Sequence, residues 1–121
     1  MINLMITFYS LVNGIDPSLA FQMARVESNM NSYAVSKTND GGLFQLNRAY
    51  YKFHNPSWIF NPNTNIALAL NKLSKLKKEC KHTSNNSFIL CYNMGTYGAG
   101  KIKKPFLQTY YKKMNLLWRS K

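Results

Sequence analysis

Apolar residues recur at helical spacing along most of this chain, and polar turns separate the runs. The mostly apolar stretch 1–9 predicts a first core helix. Asp16 followed by Pro17 predicts the start of a second helix, because aspartate accepts from free backbone N–H groups and proline suits the first helical position. One side of this second helix carries Leu19, Ala20, Met23, Val26, Glu27 and Met30.

A third helix is predicted to begin near Thr64, after Asn61-Pro62-Asn63. Its apolar face comprises Ile66, Ala69, Leu70, Leu73 and Leu76. The opposite face is basic, with Lys72, Lys75 and Lys78, which predicts a solvated surface, with a dedicated binding surface as the alternative. Two more helices are expected, one after the polar turn 81–86 and one after Pro105.

The segment 36–46 is rich in Asn, Gly and Ser, which predicts turns and a short hairpin. No linker or internal repeat divides the chain, and its 121 residues suffice for one hydrophobic core. We therefore expect a mainly α fold with a single domain over residues 1–121 and a polar loop region in which side chains can face a cleft.

The charge balance predicts an anionic partner, because 16 Lys and Arg face four acids, for a net charge of +12. Nucleic acid, acidic lipid surfaces and bacterial wall polymers all meet this condition. The basic and aromatic residues form no nucleic-acid reading motif, so no nucleic acid is expected.

The apolar start lacks the basic residues and cleavage site of a signal peptide, and it is too short to span a bilayer. We expect no signal peptide in this sequence and no transmembrane segment. Cys80 and Cys91 fit neither a redox pair nor a zinc site, and they remain either a disulfide or two buried thiols. No metal site and no cofactor are predicted.

Glu27 is the candidate for acid–base chemistry, because it is one of only four acids and lies on the apolar side of its helix. Desolvation disfavours an ionised carboxyl, and a carboxyl that keeps its proton near neutral pH can donate it. The alternatives are a solvated glutamate at the edge of the apolar face and a glutamate paired with a lysine.

Five short motifs in one order resemble the family 1 lytic transglycosylases, the soluble lytic transglycosylase domain of the lysozyme superfamily. They are Glu27-Ser28, Ala34-Val35-Ser36, Gly42-Leu43-Phe44-Gln45-Leu46, Asn61-Pro62 with Asn65-Ile66, and Tyr92-Asn93 with Gly95. The resemblance covers roughly residues 15–100. It implies a compact lysozyme-like fold with a short hairpin beside the active-site cleft, and cleavage of peptidoglycan glycan strands.

The resemblance also implies roles for single residues. Glu27 matches the catalytic glutamate, which protonates the glycosidic oxygen and then takes the proton of the muramyl 6-hydroxyl, so that a 1,6-anhydro sugar forms. Tyr92 matches the tyrosine that hydrogen-bonds this carboxyl. The positions that match substrate-binding residues are Ser36, Gly42, Gln45 and Asn93. Asn47 and Met94 depart from the residues commonest in the family.

Asp40 supports a second interpretation, because the stretch Asp40-Gly41-Gly42 and its continuation also resemble the lysozyme segment that carries a second catalytic carboxylate. A muramidase would use Glu27 and Asp40 together and would admit water. The simpler alternative is a turn aspartate that binds neighbouring polar groups.

The competing hypothesis is a protein that binds glycans but is not an enzyme. In such a binding module, aromatic rings in a basic groove would stack on the sugars without cleaving the glycan. Its aromatic residues would be Tyr50, Tyr51, Trp58 and Tyr97. The enzyme interpretation predicts a monomer that acts on the anionic bacterial cell wall or in the periplasm. The composition, rich in Asn, Lys, Ile and Tyr, and the lack of a leader in this sequence favour phage lysis or a virion-associated role, with a secretion-system accessory as the alternative.

Overall fold

The computed structural model describes residues 1–79, which form three α-helices, one short hairpin and one 3₁₀ helix. The elements are α1 (Ile2–Val12), α2 (Pro17–Ser28), β1 (Asp40–Gly41), β2 (Leu46–Asn47), the 3₁₀ helix Pro56–Phe60 and α3 (Pro62–Glu79). The predicted mainly α fold with a short hairpin is confirmed. The last two predicted helices, both cysteines, Tyr92, Asn93 and Tyr97 lie outside the described residues.

Helix α2 begins where the sequence predicts. Asp16 Oδ1 accepts a hydrogen bond from Ser18 N at 2.9 Å, and Pro17 occupies the first helical position. The helix ends at Asn29, whose backbone adopts the left-handed conformation with φ 54°. Asparagine tolerates this conformation better than most residues, which makes it a suitable helix C-cap.

Helix α3 begins at Pro62, two residues before the predicted start at Thr64. Asn61 Oδ1 accepts from Thr64 N at 3.1 Å, so Asn61 caps the helix and Pro62 stands at the first helical position, where no N–H is needed. The same Asn-Pro signal precedes the 3₁₀ helix, which the sequence analysis missed. There Asn55 Oδ1 accepts from Ser57 N at 3.0 Å.

The core lies between the helices and the hairpin. Its fully buried side chains include Ile6 from α1, Met23 from α2, Leu43, Phe44 and Leu46 from the hairpin, Ile59, and Ile66, Leu70 and Leu73 from α3. The predicted apolar face of α3 is therefore confirmed as buried. None of the helices within residues 1–79 is long and apolar enough to cross a membrane.

One buried polar side chain, Asn65 on α3, joins three parts of the fold. Its Oδ1 accepts from Phe44 N at 2.9 Å, and its Nδ2 donates to Gly41 O at 3.1 Å and to Ile59 O at 2.9 Å. All three partners are backbone groups, and a backbone N–H or C=O group buried in the core needs a hydrogen bond. The amide thus fastens the hairpin and the end of the 3₁₀ helix to α3.

Gly42 is a glycine because Asn65 lies directly against it. A Cβ at this position would overlap Asn65 Nδ2 and would lie 2.7 Å from the carbonyl oxygen of Ile59. The backbone of Gly42 also has φ +85°, which glycine adopts at little cost. This packing accounts for the glycine without any substrate, and the predicted role of Gly42 beside the glycan stays a prediction.

The Asn65 amide can be tested with an isosteric change. In Asn65→Asp the two donor contacts become contacts between oxygen atoms, and a buried charge is added, so we expect a loss of about 3 kcal/mol in the free energy of unfolding. Chemical denaturation measures this loss. Asn71→Asp makes the same change at an exposed position of the same helix and should cost little. Equal stability of the two variants would contradict the role of Asn65.

Candidate functional site

A cavity of about 580 Å³ lies between the end of α2 and the hairpin region. Its described lining residues are Arg25, Val26, Glu27, Ser28, Asn29, Ala34, Val35, Ser36 and Gln45. This Glu27 cavity brings together three of the predicted site residues, namely Glu27, Ser36 and Gln45. Asp40 and Gly42 are not among its described lining residues, and Tyr92 and Asn93 lie outside the part of the chain that the structure describes.

Glu27 occupies the last turn of α2, where it is half-buried. The chain leaves the helix immediately afterwards, because Asn29 and Met30 both adopt positive φ angles, of 54° and 63°. The turn that carries the carboxyl is therefore also the turn at which the backbone bends toward the hairpin, and Glu27 lines the cavity rather than the interior of the core.

Ser28 fastens this last turn to the hairpin. Its Oγ lies 2.8 Å from Leu43 O and 3.1 Å from Ala24 O, so the single hydroxyl proton has one acceptor in the hairpin and one in its own helix. Because Leu43 is fully buried, the contact to it joins α2 to a fixed part of the core. The residue next to Glu27 thus sets the position of the carboxyl-bearing turn.

Gln45 closes the opposite wall through its amide. Its Nε2 donates to Ala34 O at 3.1 Å and to Gly42 O at 2.9 Å. These two bonds use both amide hydrogens, and they hold a backbone with φ 52°, which a non-glycine residue adopts only under constraint. Within residues 1–79, the group of Gln45 that stays available to a ligand is the acceptor Oε1.

Ser36 and Asp40 form a polar network inside the loop. Asp40 Oδ2 accepts from Thr38 Oγ1 at 2.6 Å and from Ser36 Oγ at 3.2 Å, and Asp40 Oδ1 accepts from Asn47 Nδ2 at 3.2 Å. Ser36 Oγ in turn accepts from Asp40 N at 3.1 Å. Asp40 therefore binds the polar groups of its own loop and of β2.

Lys72 on α3 is the residue whose environment the sequence analysis misjudged. Lys75 and Lys78 are exposed, as predicted for a solvated face, but Lys72 is half-buried. Burial lowers the pKa of its ammonium, while the negative charges of Asp40 and Glu27 raise it. Lys72 thus interacts electrostatically with both carboxylates.

The described lining of the cavity combines one carboxyl with two serine hydroxyls, two side-chain amides and one guanidinium, beside the small apolar side chains of Ala34 and Val35. Within residues 1–79, no group of three or more His, Cys, Asp or Glu side chains is arranged to hold a metal ion. A carboxyl in such a cleft can transfer protons to and from a bound polar substrate. The sequence motifs contained Ser28 and Asn65, but only the structure shows what their side chains bind.

Comparison with known proteins gives one finding. A family model described as the transglycosylase SLT domain matches residues 5–117, which includes all the motifs quoted above. A search of curated proteins found no match.

The anchoring of the Glu27 turn can be tested with Ser28→Ala. Loss of the hydroxyl leaves the buried carbonyl of Leu43 without this donor, and we expect the free energy of unfolding to fall by about 1 kcal/mol. Urea denaturation measures the difference. Ser32→Ala is the matched control, because the side chain of Ser32 is likewise half-buried but makes no hydrogen bond among the described residues. A Ser28→Ala protein as stable as the Ser32→Ala protein would refute the anchor.

Proposed function

The chain belongs to the transglycosylase SLT domain family, and from this membership we propose that it cleaves the MurNAc–GlcNAc β-1,4 bond of peptidoglycan with formation of 1,6-anhydromuramyl ends. The family establishes the general type, a peptidoglycan-acting domain of the lytic transglycosylase kind. The bond, the product and the residue roles are our proposal. The observation that carries it is the single cavity that joins Glu27 to Ser36 and Gln45.

In the proposed reaction Glu27 serves first as an acid and then as a base. Its protonated carboxyl donates to the glycosidic oxygen, so that the bond between this oxygen and the anomeric carbon breaks and the GlcNAc side leaves as an alcohol. The resulting carboxylate accepts the proton of the muramyl 6-hydroxyl while that oxygen bonds to the anomeric carbon. Glu27 regains its proton, and no water is consumed.

One carboxyl suffices for this chemistry, because the nucleophile is part of the substrate. The 6-hydroxyl is held close to the anomeric carbon by the sugar itself, which removes the entropic cost of bringing in a separate nucleophile. The protein then needs a proton carrier and groups that hold the ring. Gln45 is proposed to accept from a sugar hydroxyl or amide through Oε1, since its Nε2 is bound to Ala34 and Gly42.

The remaining roles follow the family pattern. Ser36 and Asn93 are proposed to bind the sugars beside the cleaved bond, Gly42 to leave room for the glycan, and Tyr92 to hydrogen-bond the carboxyl of Glu27. The hydroxyl of Ser36 already accepts from Asp40 N and lies near Thr38 Oγ1 and Asp40 Oδ2. A sugar at Ser36 would therefore contact a hydroxyl whose position the loop determines.

The alternative is a muramidase in which Asp40 acts with Glu27 and water completes the cleavage. Two observations speak for the transglycosylase instead. Asp40 is not among the described residues that line the Glu27 cavity, and its two carboxylate oxygens accept from three polar side chains of the loop and of β2. This environment suits an aspartate that organises the loop.

We further propose that residues 1–121 form one domain that acts as a monomer in the bacterial cell wall or periplasm, without a cofactor. The excess of positive charge would hold the enzyme on the anionic wall, since the field of many like charges acts over about 8 Å at physiological ionic strength. Delivery during phage lysis, or as part of a virion, is the proposed route.

The role of Glu27 predicts the effect of Glu27→Gln. The amide keeps the shape of the side chain but has no transferable proton, so we expect lysis of purified peptidoglycan to fall by about a hundredfold to ten-thousandfold with the fold intact. Asp16→Asn makes the same acid-to-amide change at an exposed helix cap, where asparagine serves equally well, and should keep full activity. Near-normal activity of the Glu27→Gln protein would disprove the assignment.

The role of Asp40 is decided by the products. We expect muropeptides that end in 1,6-anhydromuramyl groups, and an Asp40→Asn protein that keeps much of its activity, because the carboxylate is not the nucleophile. Mass spectrometry of the released muropeptides measures both. Products with mainly free reducing ends, together with an Asp40→Asn loss as large as that of Glu27→Gln, would make the protein a muramidase.

A further inference from the structure

A second cavity, of about 360 Å³, is lined by residues that the proposed reaction does not use. It opens between the loop at Asn39, the residue Arg48 after β2, and the segment that leads through Tyr51, Lys52 and Phe53 to Ile59. We call it the Arg48 cavity. It shares no described lining residue with the Glu27 cavity, and its volume suits a small ligand or one group of a larger ligand.

Contacts with neighbouring segments hold Arg48 in place, and none of those contacts among the described residues is an ion pair. Its backbone N donates to Asn39 O at 3.0 Å. Its side-chain stem packs close to Gly41, since a Cβ added to Gly41 would lie 3.3 Å from Arg48 Cδ. Its guanidinium carbon is 5.5 Å from the centre of the Phe60 ring. Nothing among residues 1–79 gives its guanidinium a hydrogen bond or an ion pair. The stem and the aromatic ring thus orient five N–H donors that no described side chain satisfies.

The other walls favour an anion with a small apolar neighbour. None of the described lining residues is acidic, Lys52 adds a second positive charge, and Phe53 and Ile59 supply apolar surface. Tyr51 is half-buried, and burial together with the neighbouring Tyr50 raises the pKa of its phenol. The hydroxyl therefore keeps its proton at neutral pH and can serve as another donor.

We propose that the Arg48 cavity binds a carboxylate of the peptidoglycan stem peptide. A carboxylate matches the planar fork of a guanidinium through two parallel hydrogen bonds, and an alanine methyl group beside it would lie against Phe53 and Ile59. The identification of the stem peptide as the source of the carboxylate rests on the proposed function, whereas the preference for an anion rests on the cavity alone. Occupation of this site would hold a peptide-bearing strand on the domain while Glu27 acts on the glycan.

The test measures binding rather than cleavage, so that it is independent of the proposed reaction. A soluble stem tetrapeptide of alanine, glutamate and a diamino acid is titrated into the full chain by calorimetry. The same peptide with its carboxyl groups converted to amides is the ligand control, and it requires no change in the protein. We expect the amidated peptide to bind at least about tenfold more weakly, since charge-assisted hydrogen bonds are lost.

The protein variant is Arg48→Gln with Lys52→Gln, and its control is Lys75→Gln with Lys78→Gln, which removes the same charge from exposed positions of α3. The first variant should lose affinity for the carboxylated peptide by about tenfold or more, and the control should keep it. Arg48→Lys keeps the charge and the stem but not the fork, and an intermediate loss is expected for this variant.

Three results would overturn the proposal. They are equal binding of the acid and amide peptides, equal loss of affinity in both double variants, and preference of the site for inorganic phosphate or a phosphate-containing wall polymer over the peptide. Activity on peptidoglycan does not enter any of these results, so an inactive protein that binds the peptide through Arg48 would refute the proposed function and leave this inference standing.

Discussion

The buried amide of Asn65 is the interaction on which the arrangement of both cavities depends. It bonds to three backbone groups, two in the hairpin at 21 and 24 residues along the chain and one near the end of the 3₁₀ helix at 6 residues. A buried polar group costs free energy when it is unpaired, so the fold is stable only when the amide and its three backbone partners are placed to bond to one another. The hairpin can occupy only the position at which Asn65 is satisfied, and Gly42 must lack a side chain for that position to exist.

The hairpin region fixed in this way carries side chains to two different cavities. Ser36 and Gln45 line the Glu27 cavity, whereas Asn39 and Arg48 line the other. The polar side chains of the hairpin region form hydrogen bonds mostly with the backbone and with one another. These bonds hold the region in one conformation, although its two strands are only two residues long each. Because one segment contributes to both cavities, a shift of this segment would alter both of them together.

The chain has a net charge of +12, and its charged side chains lie in different environments. Glu27 and Asp40 both act on the half-buried ammonium of Lys72, while Arg48 is packed on Phe60 beside a cavity whose described lining contains no acid. The first arrangement places a positive charge near the proposed proton carrier. The second leaves a positive charge available to an anionic ligand. Exposed lysines such as Lys75 and Lys78 contribute mainly to the long-range attraction toward an anionic polymer.

The sequence by itself determined the features that local chemistry controls. Asp16-Pro17 sets the start of α2, the apolar spacing sets the buried face of α3, the polar stretch 36–46 contains the hairpin, and the ordered motifs identify the family. The start of α3 was predicted two residues late, at Thr64, although its Asn-Pro signal is local. The 3₁₀ helix was not predicted, because five residues are too few to show an apolar periodicity. The tertiary structure alone decided what Asn65 binds, why residue 42 has no side chain, that Lys72 is half-buried, and that Arg48 faces a cavity of its own. Each of these depends on contacts between segments far apart in the chain, and periodicity and capping rules describe only neighbours along the backbone.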